Sequence, residues 1–177
     1  MYFRTENLAV GYHRKALIHD INIGIEKGKI LTLIGPNGSG KSTILKTIIK
    51  QLPKISGKIY IDGADLDEMT HHQLAQQVAV VLTDRIRTEL MTCGEVVATG
   101  RYPYTNRLGK LTRQDHEIVR ESLQRVHGEE LEDKDFSAIS DGQRQRIMLA
   151  RAICHQPQMI ILDEPTAFLD IRHKIEL

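Results

Sequence analysis

Tryptophan is missing from this chain, and phenylalanine occurs only three times. Aromatics make up 5% of its 177 residues, too few for the stacking platform that single-stranded nucleic acid requires. An excess of charge of one sign is missing too. Lysine and arginine total 24 against 23 aspartates and glutamates, a formal net charge of +1. That balance leaves no basic footprint for a nucleic-acid partner. Cysteine is scarce: Cys93 and Cys154 lie far apart in sequence, which fits neither a metal spacing nor a disulfide framework. A reducing, cytosolic location follows. His116, in "HEIVR", lacks the second histidine of a zinc-binding helix. The longest apolar runs, "ILTLI", "VAVVL" and "MIIL", are far too short to span a bilayer. "MYFRTENLAV" at the N-terminus lacks the charged-then-apolar layout of a signal peptide. There is no internal repeat, low-complexity tract or sustained heptad. What is present is a chain 41% hydrophobic and 27% charged, ordinary for a globular protein and of a length that suits one domain.

Hydrophobic periodicity orders the elements. Ile21, Ile23 and Ile25 alternate, the period of a half-buried strand, and Gly28 ends it. "KILTLIG" is a continuous apolar run and predicts a strand buried on both faces. "GPNGSG" is too rich in glycine for regular structure. Ile44, Leu45, Ile48 and Ile49 then recur at helical spacing. "GKIYIDG" predicts a short strand, "THHQLAQQ" a short helix opened by Thr70, and "VAVVL" another buried strand. From about Asp84 to Pro157 the pattern is helices and loops, with no convincing strand. Its clearest helix is capped by Thr112 and presents Val119, Leu123 and Val126 on one face. "QMIILDEP" returns to a buried strand. Strands alternating with helices predict an α/β fold with a mostly parallel sheet.

"GPNGSGKST", Gly35 to Thr43, contains G-x-x-x-x-G-K-S between a predicted strand and a predicted helix. The glycines let the backbone wrap closely and aim successive N–H groups at one point, to which the helix N-terminus adds its positive dipole end. Lys41 can reach β- and γ-phosphates, and the Ser42 hydroxyl can ligate Mg²⁺. "MIILDEP" places Asp163 and Glu164 at the C-terminal end of a strand, where ligands sit in open α/β sheets. Asp163 suits the metal held by Ser42, and Glu164 suits a general base acting on water. "ISDGQRQR" raises a separate possibility. Ser140 with Gln143 three residues on is a capping box, which satisfies two orphan backbone donors.

Together these pieces resemble the nucleotide-binding domain of ATP-binding-cassette (ABC) proteins, with the motifs in order over essentially the whole chain. "GPNGSGKST" resembles the Walker A loop, "MIILDE" Walker B, "ISDGQRQR" the family signature, and "FLD" (Phe168 to Asp170) the D-loop. The resemblance implies a P-loop NTPase of α/β class with an antiparallel β lobe and an inserted helical subdomain. Residues 1–83 and 158–177 would form the ATP-binding core and 84–157 the helical subdomain of a single domain. It implies ATP and Mg²⁺ as ligands. Gly35, Pro36, Asn37, Gly38, Ser39, Gly40, Lys41, Ser42 and Thr43 would bind ATP, with Tyr12 stacking on adenine; the plainer reading of Tyr12 is local packing at a strand edge. Ser42 and Asp163 would hold the metal, and Glu164 would be catalytic. Ser140, Asp141, Gly142 and Gln143 would act on the nucleotide of a second subunit, and Asp170 would belong to the D-loop.

"VVATGRYPYTNRLGKLTRQD" and "LDIRHKIEL" resemble most closely the ATPase subunits of bacterial importers for iron–siderophores, haem and cobalamin. That implies a head-to-tail homodimer with ATP sandwiched between the subunits. It also implies membrane permease partners, an indirect substrate-binding protein, and a peripheral place on the cytoplasmic face of the inner membrane. Three departures stand out. Thr83 occupies the place where the family usually has a glutamine that touches Mg²⁺ and water; its shorter hydroxyl cannot span the same gap, so either a water bridges from this candidate metal residue or coupling to the permease is tuned differently. Asp141 replaces the signature's first glycine, which a γ-phosphate tolerates only if the carboxylate faces solvent or a basic neighbour such as Arg144. The family's switch histidine lies on a strand later than Leu177, and His173 is expected to be an ordinary helical residue. A sheet without that strand has an unpaired edge, so the fold is expected to be C-terminally incomplete, and weak ATP binding with poor hydrolysis is expected of the 177-residue chain. The competing readings are a soluble, non-transport cassette ATPase and a truncated, poorly active cassette remnant.

Overall fold

A ten-residue strand, β1 (Phe3–Tyr12), organises the first half of the chain. In this computed structural model the structure describes residues 1–82, 90–105 and 108–164. The chain divides into two compact units, Met1–Leu74 and Ala75–Leu177.

In the first unit, β1 pairs antiparallel with β2 (Lys15–Ile21), with the short β3 (Gly24–Ile25) and with β4 (Ser56–Ile61); β5 (Ala64–Asp65) extends β4. The β1–β2 connection is the two-residue turn His13–Arg14, with φ of 51° and 61°. Two positive φ values match the right-handed twist of a tight hairpin. Leu8, Val10, Ile59 and Ile61 are fully buried and make the core of this sheet. Helix α1 (Lys41–Ile48) follows the glycine-rich loop and buries Ile44 and Ile48, as its periodicity predicts. This larger sheet is antiparallel, the antiparallel β lobe that the family resemblance implies, and it corrects the mostly parallel sheet that element alternation alone predicts. A two-residue hairpin returns the chain without the crossover a parallel pair needs.

"KILTLIG" is also corrected. Residues 29–35 form no strand, and Ile30 and Ile34 are 94% and 92% exposed. A strand buried on both faces needs neighbours along its edges, and among the described residues nothing pairs with this run. The strand expected over Ile21–Ile25 breaks between β2 and β3, yet its alternation survives: Ile21 is buried, Asn22 exposed and Ile23 half-buried.

Helix α2 (His71–Gln77) starts at Thr70, whose hydroxyl accepts the Gln73 N–H at 3.2 Å. In the second unit, β6 (Val78–Val81) and β7 (Met159–Leu162) run parallel, Val78 opposite Met159 and Val81 opposite Leu162. β7 is less enclosed than its apolar sequence predicts: Ile161 is buried while Ile160 and Leu162 stay exposed. Helices α3 (Cys93–Ala98), α4 (Arg113–Arg125) and α5 (Asp141–Cys154) each open with a capping box, Thr92 with Glu95, Thr112 with Asp115, and Ser140 with Gln143. Their facing sides bury Val97, Leu123, Leu131, Phe136, Ile147 and Cys154 in one cluster. The helical character expected between Asp84 and Pro157 holds among the described residues, where only an isolated bridge joins Thr92 to Asp135.

A buried ion pair ties three of these elements together. Arg101, in the 3₁₀ segment Thr99–Tyr104, places Nε 2.8 Å from Asp115 Oδ1 at the start of α4. Its Nη1 donates to the Cys154 carbonyl at 3.0 Å and to Gln156 Oε1 at 3.1 Å, past the end of α5. Burial pushes the Asp115 carboxyl up, but hydrogen bonds from the Thr112 hydroxyl and amide and from Arg101 outweigh it and hold Asp115 below the usual carboxylate range. Fully satisfied charges of this kind are tolerated inside a core because both partners are hydrogen-bonded.

Candidate nucleotide site

The phosphate-loop motif folds as a tight turn onto a helix. The Ser39 N–H donates to the Pro36 carbonyl at 3.2 Å, which sets Gly38, at φ 80°, in the turn position that needs a positive φ. Gly40 is the N-cap of α1 at φ 92°, ψ 11°. A Cβ at Gly40 would stand 2.6 Å from Cδ1 of Ile18 on β2, so another residue here would push that side chain aside and would be strained at this positive φ. No side chain caps α1, so its first turn presents backbone donors toward the loop. Lys41 folds back over that loop: Nζ donates to the carbonyls of Gly35 and Pro36 at 2.9 and 3.0 Å. An ammonium beside exposed amides at a helix N-terminus is an anion cradle.

Tyr12, at the end of β1, is brought to this loop. Its hydroxyl lies 3.2 Å from Oγ1 of the buried Thr43, while the ring remains half exposed. Beside it opens a cavity of about 650 Å³ lined by Gly11, Tyr12, His13, Arg14 and the segment from Leu52 to Ile55. Its lining includes Tyr12 and two cationic residues, Arg14 and Lys54.

The second unit holds the remaining candidates. The Asp163 amide donates to the Val81 carbonyl at 2.9 Å, which extends the β6–β7 register by one residue and leaves Asp163 buried just past β7. Glu164 is exposed and turns the backbone at φ 49°. At α5, Ser140 Oγ accepts the Gln143 N–H at 3.3 Å, and Gln143 Oε1 accepts the Ser140 N–H at 3.0 Å. Asp141 points at Arg144, Oδ1 to Nη1 at 2.7 Å, one turn along the same helix. The Arg144 guanidinium also donates to the Ile139 carbonyl at 3.2 Å. Asp141 therefore has Arg144 as its basic neighbour. Thr83, Asp170 and His173 lie outside the described residues.

Sequence reasoning passed over His155. It follows α5 directly, is buried, and its Nε2 has no hydrogen-bond partner among the described residues. The Tyr104 ring meets it edge-on at 5.9 Å. Burial, and then the nearby Arg101 and Arg151 charges, hold its pKa below the ordinary value, against a hydrogen bond to the Ala75 backbone that raises it. The only signal in sequence was its place between a helix end and an acidic strand.

The family described as ABC transporter matches residues 18–167. The chain belongs to the ABC transporter family. Among its ABC relatives, an uncharacterized ABC transporter ATP-binding protein of Methanocaldococcus jannaschii is 49% identical over 174 residues, 98% of this chain and 60% of that protein. The iron(3+)-hydroxamate import ATP-binding protein FhuC of Bacillus subtilis is 37% identical over 173 residues, 98% of this chain and 64% of that protein. Among solved structures, an ABC transporter assigned provisionally to the metal-chelate type, in an inward-facing conformation, superposes with a TM-score of 0.84 at 29% identity. The match covers 98% of this chain and 64% of that one. The ABC chain described here thus spans 60 to 64% of the length of these three proteins.

Proposed function

We propose that this ABC-family chain is the ATP-binding and hydrolysing subunit of an importer for an iron–siderophore or related metal chelate. The observation that carries the reading is the phosphate loop: a left-handed Gly40 against β2, an uncapped helix start, and Lys41 poised over the Gly35 and Pro36 carbonyls. Gly35, Pro36, Asn37, Gly38, Ser39, Gly40, Lys41, Ser42 and Thr43 cradle the phosphates, and Lys41 exchanges its own loop's carbonyls for phosphate oxygens. The exposed face of Tyr12 stacks on adenine while its hydroxyl stays anchored on Thr43. Ser42 and Asp163 offer the hydroxyl and carboxylate oxygens that a small hard cation prefers, so they fit Mg²⁺; Thr83 is a further candidate. Bound Mg²⁺ supplies charge neutralisation at the phosphates. Glu164, exposed beyond β7, takes a proton from the attacking water.

Ser140, Asp141, Gly142 and Gln143 complete the site of a second copy, with Asp141 held off the phosphate by Arg144. The D-loop residue Asp170 belongs to the same head-to-tail dimer. Residues 1–83 and 158–177 make the ATP-binding core and 84–157 the helical subdomain. No helix among the described residues is long and apolar enough to cross a membrane. On this reading the partners are membrane permease subunits and, indirectly, a substrate-binding protein, and the chain works peripherally on the cytoplasmic face. The likeness to FhuC supports the choice of a ferric chelate as cargo.

Glu164→Gln in the full-length protein tests both halves. Turnover should fall roughly a hundredfold or more, the share of a general base. With ATP and Mg²⁺ the variant should elute as a dimer on gel filtration, and with its permease it should stop chelate uptake. Elution as a monomer only would remove the sandwich. A dimer with uptake intact would remove the importer reading alone.

A further inference from the structure

We propose that Asn37 is a site of spontaneous deamidation through a cyclic imide with Gly38, and that bound nucleotide closes it. Three observations place the chemistry here. Asn37 and Gly38 are both exposed at the tip of the turn from Pro36 to Ser39. Gly38 carries no side chain, and a Cβ built there would meet nothing within 4 Å, so the ring that forms across the peptide encounters no steric opposition. Among the described residues, neither the Asn37 side-chain amide nor the Gly38 N–H has a hydrogen-bond partner. Asn7 and Asn22 are the contrast. The Asn22 side chain accepts the Asn7 N–H at 2.8 Å and donates to Asn7 Oδ1 at 3.3 Å and to the Asp20 carbonyl at 3.1 Å. The residues after them, Leu8 and Ile23, are bulky.

The Gly38 nitrogen attacks Cγ of Asn37. A new C–N bond forms, the Cγ–Nδ2 bond breaks, and the side-chain nitrogen leaves as ammonia with the proton from Gly38. Water then opens the imide at either carbonyl, giving aspartate or isoaspartate; no oxidant or reductant takes part. The free amides that suit this loop to an anion are thus what leave Gly38 available as a nucleophile. A carboxylate at this tip opposes a polyphosphate by like charge, which weakens nucleotide binding roughly fivefold or more. The closing half of the proposal rests on the nucleotide reading above: phosphate oxygens that accept from the loop amides remove the nucleophile.

The experiment incubates the intact chain in mildly alkaline buffer at physiological temperature, with and without saturating Mg-ATP. Tryptic peptides are then followed for the mass gain of amide-to-acid exchange and for isoaspartate. Cleavage after Lys29 and Lys41 isolates Asn37 as the only asparagine of its peptide. The expected result is deamidation there an order of magnitude faster than at Asn22, slowed severalfold by Mg-ATP, and abolished in Asn37→Gln, whose longer side chain closes a six-membered ring poorly. A rate at Asn37 no greater than at Asn22 overturns the proposal. So does an unchanged rate with Mg-ATP when equilibrium dialysis shows the nucleotide bound. Dialysis finding no bound ATP, with fast deamidation of the free chain, overturns the nucleotide reading instead and leaves the modification site standing.

Discussion

His155 carries a prediction that belongs to a single ring. Its pKa lies below the ordinary 6.5, so the folded chain keeps the imidazole neutral among Tyr104, Arg101 and Arg151. An unfolded chain protonates first as pH falls through that value, which draws the equilibrium away from the fold. The contribution is whole above 6.5 and is lost as pH falls from there toward the folded pKa. Asp115 is separate: its folded pKa is depressed below 3.8, so its share fails only in stronger acid. Urea midpoints taken between about pH 5 and 7 should fall with acid in the native chain and flatten in His155→Gln. A slope that survives in the variant would show that another group titrates. Single residues were legible in sequence where their partners are local. The Ser140–Gln143 box and the Asp141–Arg144 pair lie within one turn of each other, so spacing alone exposed them. Most of the His155 environment, Tyr104, Arg101 and the Ala75 backbone, comes from residues about fifty or more positions away, and spacing carries no trace of it.

Among elements, the β1–β2 hairpin escaped sequence reasoning and "KILTLIG" misled it, for opposite reasons. The hairpin turns at His13–Arg14, neither the glycine nor the asparagine that advertises a tight turn, and both stand in the left-handed region. Non-glycine residues pay for that conformation with about 1 kcal/mol each. His13→Asn with Arg14→Gly should therefore stabilise the chain by about 1 kcal/mol in urea denaturation. Loss of stability would mean that the native side chains hold the turn by contacts. "KILTLIG" has every composition mark of a buried strand. Burial is supplied by neighbours, though, and periodicity reports only what a segment can do once they are present. The helices fared better because α4 and α5 carry both their caps and their apolar faces in contiguous sequence. The phosphate loop was legible for the same reason: it is built from nine consecutive residues. Tyr12 reached it through the antiparallel sheet, and only the family resemblance pointed there.

For the molecule as a whole, the exposed stretch from Ile30 to Ile34 has a colloidal consequence. It is short, β-prone, uncharged and free of proline, and Ile30 and Ile34 face solvent almost entirely. Backbone donors and acceptors without ladder partners beside such side chains form a template for a second copy to align on. With a formal net charge of only +1, long-range repulsion between copies is weak. The 177-residue chain should therefore scatter light increasingly with concentration. Ile30→Lys, which places a second cation beside Lys29, should suppress this. Scattering that is unaffected would place the sticky surface elsewhere. If it holds, the run next to the phosphate loop limits how concentrated a solution of this chain can become before molecules begin to stack into fibrils.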